Sequence, residues 1–252
     1  MNLRKLLGIV LFVLLLTSCN TKEESQINAI NLDEKIKSNF EGTRIGLDAF
    51  YLLGWSDDAR KFAYAVQKET NMEAMFSAKI YIQETENNHQ SWKVSLEDVT
   101  MKEYENFEHY WSSNHSYIEF VLKQNKIKLL NKTQIKSFPM VYNHVQLNVR
   151  LELKKHNLES SNKDFFAGLG GYKLFLTTPA SKVTLLTDCE LEVQESDCGW
   201  DTTSKIKVLG YFESPKKSHI AILIARLEYG FEGVKTIRYD VVGADLDIVK
   251  KG

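Results

Sequence analysis

Cysteine is scarce in this chain. Its 252 residues hold three, Cys19, Cys189 and Cys198. Two cysteines with no histidine beside them do not make a structural zinc site, which takes four Cys or His ligands. An excess of either charge is also lacking: 32 Lys and Arg stand against 33 Asp and Glu, for a net charge of −1. No basic face of a nucleic-acid binder is present, so no nucleic-acid partner is expected. Catalytic signatures are missing too. Ser56, beside Asp57 and Asp58, has no Gly-x-Ser-x-Gly elbow around it. His109 and His115 do not have the His-x-x-x-His spacing of a metal site, although Glu105 and Glu108 lie close by. Asp240, Asp245 and Asp247 lack the glycine and terminal glutamate of a calcium loop. Gly168-Leu169-Gly170-Gly171 precedes a strand pattern, whereas a phosphate cradle opens a helix. It is expected to be a turn, and no metal or cofactor is expected.

What is present is a core's worth of apolar side chains. At 43% hydrophobic and 11% aromatic residues, the composition is that of a folded body. Trp55, Trp92, Trp111 and Trp200 are expected to pack in the core or at its edges, with a sugar platform as the alternative.

The first nineteen residues have their own organisation. Arg4 and Lys5 precede Leu6 to Leu16, an almost wholly apolar run. That run is shorter than the roughly 20 residues of a membrane span and has the length of a signal h-region. Leu16-Thr17-Ser18-Cys19 follows: an aliphatic residue, two small ones, then cysteine. This resembles the lipobox of bacterial lipoproteins. It implies cleavage between Ser18 and Cys19 and a diacylglycerol thioether on Cys19, so the membrane is the expected partner. Two or three acyl chains hold stably where one does not. Removing Arg4 and Lys5 with the signal takes the formal charge from −1 to −3. Residues 1–18 are thus read as signal, 19–43 as anchor and tether, and 44–252 as one β-rich envelope domain. Asn20 follows the cysteine where inner-membrane lipoproteins commonly carry Asp, so an outer-membrane location is expected. Lys22-Glu23-Glu24 resembles a surface-export signal, which leaves either face of that membrane open. In an oxidising compartment, Cys189 and Cys198 form a candidate disulfide. Asp201-Thr202-Thr203 resembles a bacterial O-glycosylation sequon.

The body reads as strands. Alternation of period two marks Ser77–Glu84 and, strictly, Val145–Leu153, and Ala49–Trp55, Lys61–Val66, Ser91–Leu96, Tyr172–Thr177, Val183–Thr187, Lys205–Tyr211, Ile220–Glu228, Thr236–Val242 and Leu246–Lys250 complete the expected strands. Residues 101–125 have helical spacing. Ser112-Ser113-Asn114 divides them into two expected short helices, Met101–Trp111 and Tyr117–Asn125. Ile27, Ile30 and Ile36 suggest another short helix before the strands begin. The expected fold is mainly β: an antiparallel sandwich or open blade-like sheets with a helical insertion near residues 101–125.

Two stretches align without gaps. Ser56 to Val66 matches Ser214 to Ile224, and each has a Ser-led turn that enters a strand with a central Ala. The pattern resembles the turn of periplasmic propeller blades. Gly54 to Ala63, Ala78 to Ile82, Ser214-Pro215, Ile220 to Leu223, Gly230 to Gly233 and Arg238-Tyr239 carry a closer resemblance. They are similar to a family of predicted secreted bacterial proteins known as domain of unknown function 2259, over roughly residues 49–246. This chain has Asp58-Ala59 where that family tends to have Asp-Gly. The resemblance implies an exported single domain and supplies no catalytic residue. The expected function is non-enzymatic binding of an envelope protein or glycan, or a structural role. The alternative is an envelope hydrolase acting on glycan or peptide.

Overall fold

Strand-length stretches, some alternating and some apolar throughout, make up most of the body, and the strands follow them. The computed structural model describes residues 27–40, 45–68, 75–88, 90–100, 104, 106–131, 133–155, 169–190, 202–229 and 235–250. The order begins with helix α1 (Asp33–Asn39), then strands β1 (Ile45–Leu47), β2 (Ala49–Ser56), β3 (Lys61–Gln67), β4 (Met75–Glu84) and β5 (Gln90–Thr100). Helix α2 (Phe107–Gln124) interrupts them, followed by the short strands β6 (Ile127–Leu129) and β7 (Met140–Tyr142). Next come β8 (Val145–Lys155), β9 (Leu169–Thr177), β10 (Lys182–Glu190), β11 (Thr202–Glu213), β12 (His219–Tyr229) and β13 (Lys235–Asp245), and last a 3-10 helix (Leu246–Lys250).

Three open sheets result. The first has the order β5-β4-β3-β2-β6, the middle one β1-β13-β12-β11, and the third β10-β9-β8-β7. Every pairing is antiparallel except β1 on β13. The fold is thus mainly β, with open blade-like sheets and a helical insertion.

The sheets stack face to face, because each interior strand carries apolar residues on both sides. In β12, Ala221, Leu223, Ala225 and Leu227 pack toward the first sheet, while Ile220, Ile222 and Ile224 pack toward the third. Two-sided burial explains why this strand reads as a nearly unbroken apolar run. The other face of the first sheet, with Ala63, Ala65, Ile80 and Ile82, is covered by Phe107, Trp111, Ile118 and Leu122 of α2. The layers therefore run helix, first sheet, middle sheet, third sheet. Phe50 stands at the first seam, with ring centroids 5.7 Å from Phe212 and 5.8 Å from Tyr64.

A bulge re-aims one strand in each of two sheets. In β2 the register shifts between Leu52 and Gly54. Phe50, Leu52 and Trp55 consequently share a face, although 55 has the opposite parity. In β11 the shift falls between Val208 and Gly210. Leu209 and Phe212 then face the first sheet, while Ile206 and Tyr211 face the third.

The aligned stretches have the same local geometry. Ala59 N–H donates to Ser56 O and Lys217 N–H to Ser214 O, both at 2.9 Å. Ser56 Oγ accepts from Lys61 N–H and Ser214 Oγ from His219 N–H, the matching position. Ala59 and Lys217 both have left-handed φ, 64° and 59°. A glycine at either position would adopt that conformation without strain. Phe62 faces the middle sheet and Ile220 the third, so each copy presents the same position to the next layer.

Several expectations need correction. Helix α2 is one continuous helix of 18 residues, not two. Ser112 Oγ bonds Glu108 O and Asn114 Nδ2 bonds Tyr110 O, so these polar side chains bond back into the helix instead of breaking it. Leu169, Gly170 and Gly171 are strand rather than turn, with Gly171 paired to both Lys154 and Glu190. Leu246–Lys250 turns out of the sheet as a 3-10 helix, where Asp245 Oδ1 accepts from Asp247 N–H. Residues counted with the tether also join the body: Leu32, Ile36 and Phe40 are buried in the first seam.

Candidate functional site

One crossing segment runs over the edges of all three sheets. It adds β6 beside β2, then meets β11 through Lys136, then adds β7 beside β8. Lys136 and Tyr211 exchange both backbone hydrogen bonds at 2.9 Å. Two glycines allow this approach. A Cβ on Gly54 would sit 2.1 Å from Lys128 O, and one on Gly210 would sit 2.1 Å from Lys136 O.

A groove of about 580 Å³ opens between this segment and the residues leading into α1. Ile30 N–H donates to Phe50 O at 2.8 Å on one side, and Leu130 N–H to Leu53 O at 3.0 Å on the other. Tyr51 and Leu52 form the floor between these two attachments. One wall carries Ile27, Asn28, Ile30 and Asn31, and the other Leu130, Asn131, Thr133, Gln134 and Ile135. The described lining holds no carboxylate, histidine, lysine or arginine. Its polar groups are neutral amides and hydroxyls, which donate and accept hydrogen bonds without transferring protons at neutral pH. Tyr51 is the sole phenol in that lining. Burial pushes its pKa far above the ordinary value, and Glu108, which accepts its hydroxyl at 3.0 Å, raises it further. It is therefore held as a neutral donor.

The residues singled out in the sequence do not converge on this groove. Ser18, Cys19 and Cys198 lie outside the described residues. Cys189 lies in β10 opposite Tyr172, and its side chain is outside what is described, as is the proposed disulfide. Glu105, Asp201 and the side chains of Trp92, Trp200 and Thr202 are likewise outside. Trp55 and Trp111 are core residues. Glu108 serves Tyr51, while His109 sits exposed in the first turn of α2, where its N–H caps onto Asn106. Asp240 pairs with Arg226 at 2.9 Å and accepts from Tyr172, whereas Asp247 accepts from Tyr142. Among the described residues, no three His, Cys, Asp or Glu side chains form a metal-holding group. Ser56 Oγ donates to Asp58 at 2.6 Å, and this bond, despite slight burial, holds the Asp58 carboxyl below its usual range. Both groups are engaged within their own turn.

Two polar assemblies were not foreseen. Asn88, at the tip between β4 and β5, accepts from Gly243 N–H at 2.6 Å and from Gln83 Nε2 at 3.0 Å, and donates to Leu185 O. It thereby touches all three sheets. Along the middle sheet, Asp48, Arg238, Glu228, Arg226 and Asp240 alternate in sign as a chain of ion pairs. Burial alone would lower the Arg238 pKa, but Asp48 and Glu228 hold it above its ordinary value. Only the spacing of charges within β12 and β13 hinted at this ladder.

Comparison with protein-family models, curated proteins and solved structures finds no match to this chain.

Proposed function

We propose that this chain is a lipid-anchored protein of the bacterial cell envelope, in the outer membrane, that acts by binding and not by catalysis. The observation that carries the anchor is Leu16-Thr17-Ser18-Cys19 directly after the apolar run. The groove supports binding: among the described residues that line it, neutral amides and hydroxyls stand beside the apolar side chains of Ile27, Ile30, Leu52, Leu130 and Ile135, which suits an uncharged partner, a glycan or an extended peptide. Hydrolysis of such a partner would need two converging carboxylates or a nucleophile with its base, and the described lining holds neither.

Cys19→Ala is expected to abolish lipidation and to alter processing of the precursor. Labelled palmitate incorporated equally by the variant and the parent would refute the anchor. For the groove, a photo-crosslinking side chain at Gln134 should capture a partner in intact envelopes, whereas one at exposed Leu153 should not. A parallel glycan array separates a sugar from a protein partner. Equal capture at both positions, together with no glycan binding, would defeat the groove as the site.

A further inference from the structure

Helix α2 has an outer face that breaks the usual pattern. A helix lying on a sheet ordinarily turns polar residues to solvent. Here Tyr117 is 57% exposed and Phe120 59%, three residues apart on one face. Around them Ser113, Ser116 and Gln124 are exposed and uncharged, and Lys123 and Lys126 stand exposed at the C-terminal end, Lys123 paired with Glu119 at 3.3 Å.

The chain enters the body on this same side. Ile27, the first described residue, packs against the cluster formed by α2 and the first sheet. Cys19 lies eight residue steps earlier, so the tether reaches at most about 29 Å however it is arranged. Among the described residues, the other exposed large apolar side chains, Val141, Val145 and Leu153, belong to the third sheet, at the opposite end of the stack. Two sheet spacings of about 10 Å each separate that layer from the first sheet. Turning the third sheet to the membrane would consume most of the tether, whereas α2 is already beside it.

We propose that the outer face of α2, centred on Tyr117 and Phe120, rests against the headgroup region of the bilayer that holds the anchor. This rests on the lipid-anchor reading of Cys19. Aromatic side chains favour the membrane–water interface, where one edge is apolar and the other wet. Lys126, just past the helix end, suits anionic headgroups. The groove, walled partly by Ile27 to Asn31, would then open close to the membrane surface.

The test uses the full lipidated chain in vesicles of phosphatidylethanolamine and phosphatidylglycerol that carry a headgroup nitroxide. A fluorescent side chain is placed at exposed Ser113 or at Leu153. Quenching at Ser113 should exceed that at Leu153 by about twofold or more, because interfacial contact is short-ranged. Tyr117→Ser with Phe120→Ser should remove the difference and leave the melting transition unchanged. Mass spectrometry of Cys19 keeps the two readings apart. Equal quenching at both positions on a lipidated chain overturns the orientation and leaves the anchor standing. A chain with no lipid on Cys19 overturns both.

Discussion

Phe62→Ala is expected to destabilise the fold by about 3–5 kcal/mol, the range for truncating a buried phenylalanine. Phe62 is 0% exposed in the seam between the first and middle sheets. Its ring lies 5.2 Å from Trp55 and 5.8 Å from Tyr64, centroid to centroid. The site has little means to collapse after truncation. One wall is the backbone of Gly243, whose notional Cβ would sit 3.1 Å from the Phe62 ring. Glycine has no side chain to move into the space, and its N–H is held by Asn88. The cavity should persist, placing the cost toward the upper end of the range. Asp58→Ala is the companion measurement. Asp58 is exposed, and it accepts from Ser56 Oγ and Arg60 N–H within its own turn. Its loss should cost under about 1 kcal/mol, as surface changes usually do. Denaturant melts of the chain begun after Cys19 measure both. A silent Phe62→Ala beside a stable but inactive Asp58→Ala would make the first turn a functional site.

That contrast shows what the sequence could and could not disclose. Phe62 and Ile220 are matched positions in the aligned stretches, and both are buried. A repeat of turn chemistry and apolar period is local information, and it survives folding. The strands were legible for the same reason, since each shows in its own stretch, as alternation in β8 and as a short apolar run in β12. Helix α2 was misread at Ser112–Asn114 because serine and asparagine serve two purposes. They leave a helix where no carbonyl is in reach, and bond back to one where the helix is pinned by apolar packing on either side. Leu246–Lys250 has a strand's apolar content, but Asp245 captures the backbone and turns it away. The groove was not legible at all. Ile30 and Ile135 line one groove only because β2 offers one edge to two distant segments. Nothing in the spacing of Asn28, Asn131 and Gln134 announces that they share a wall-to-wall space.

Gly210→Ala is the second large effect, expected to cost about 3–5 kcal/mol by combining backbone strain with lost hydrogen bonds. Two constraints meet at this residue. Its φ of +150° belongs to a region that residues with a side chain rarely adopt, and it follows the β11 bulge. A Cβ there would also lie 2.1 Å from Lys136 O and 3.0 Å from Ile135 Cγ1. The alanine methyl can be housed only if the crossing segment lifts away. Lys136 and Tyr211 then lose their reciprocal bonds, and Ile135 leaves the wall of the groove. Gly54→Ala separates the two causes. Its Cβ meets Lys128 O at the same 2.1 Å, but no left-handed φ is involved. It should therefore cost less, about 2–3 kcal/mol for the close contact alone. Denaturant melts give the stabilities, and hydrogen exchange at the Lys136 and Tyr211 amides reports the segment directly. In Gly210→Ala those two amides should exchange faster than in Gly54→Ala, where only the β6 attachment is strained. A Gly210→Ala protein within about 1 kcal/mol of the parent, the size of an ordinary surface change, with both amides still protected, would show that the crossing segment is not held by this contact. The groove wall would then need another support.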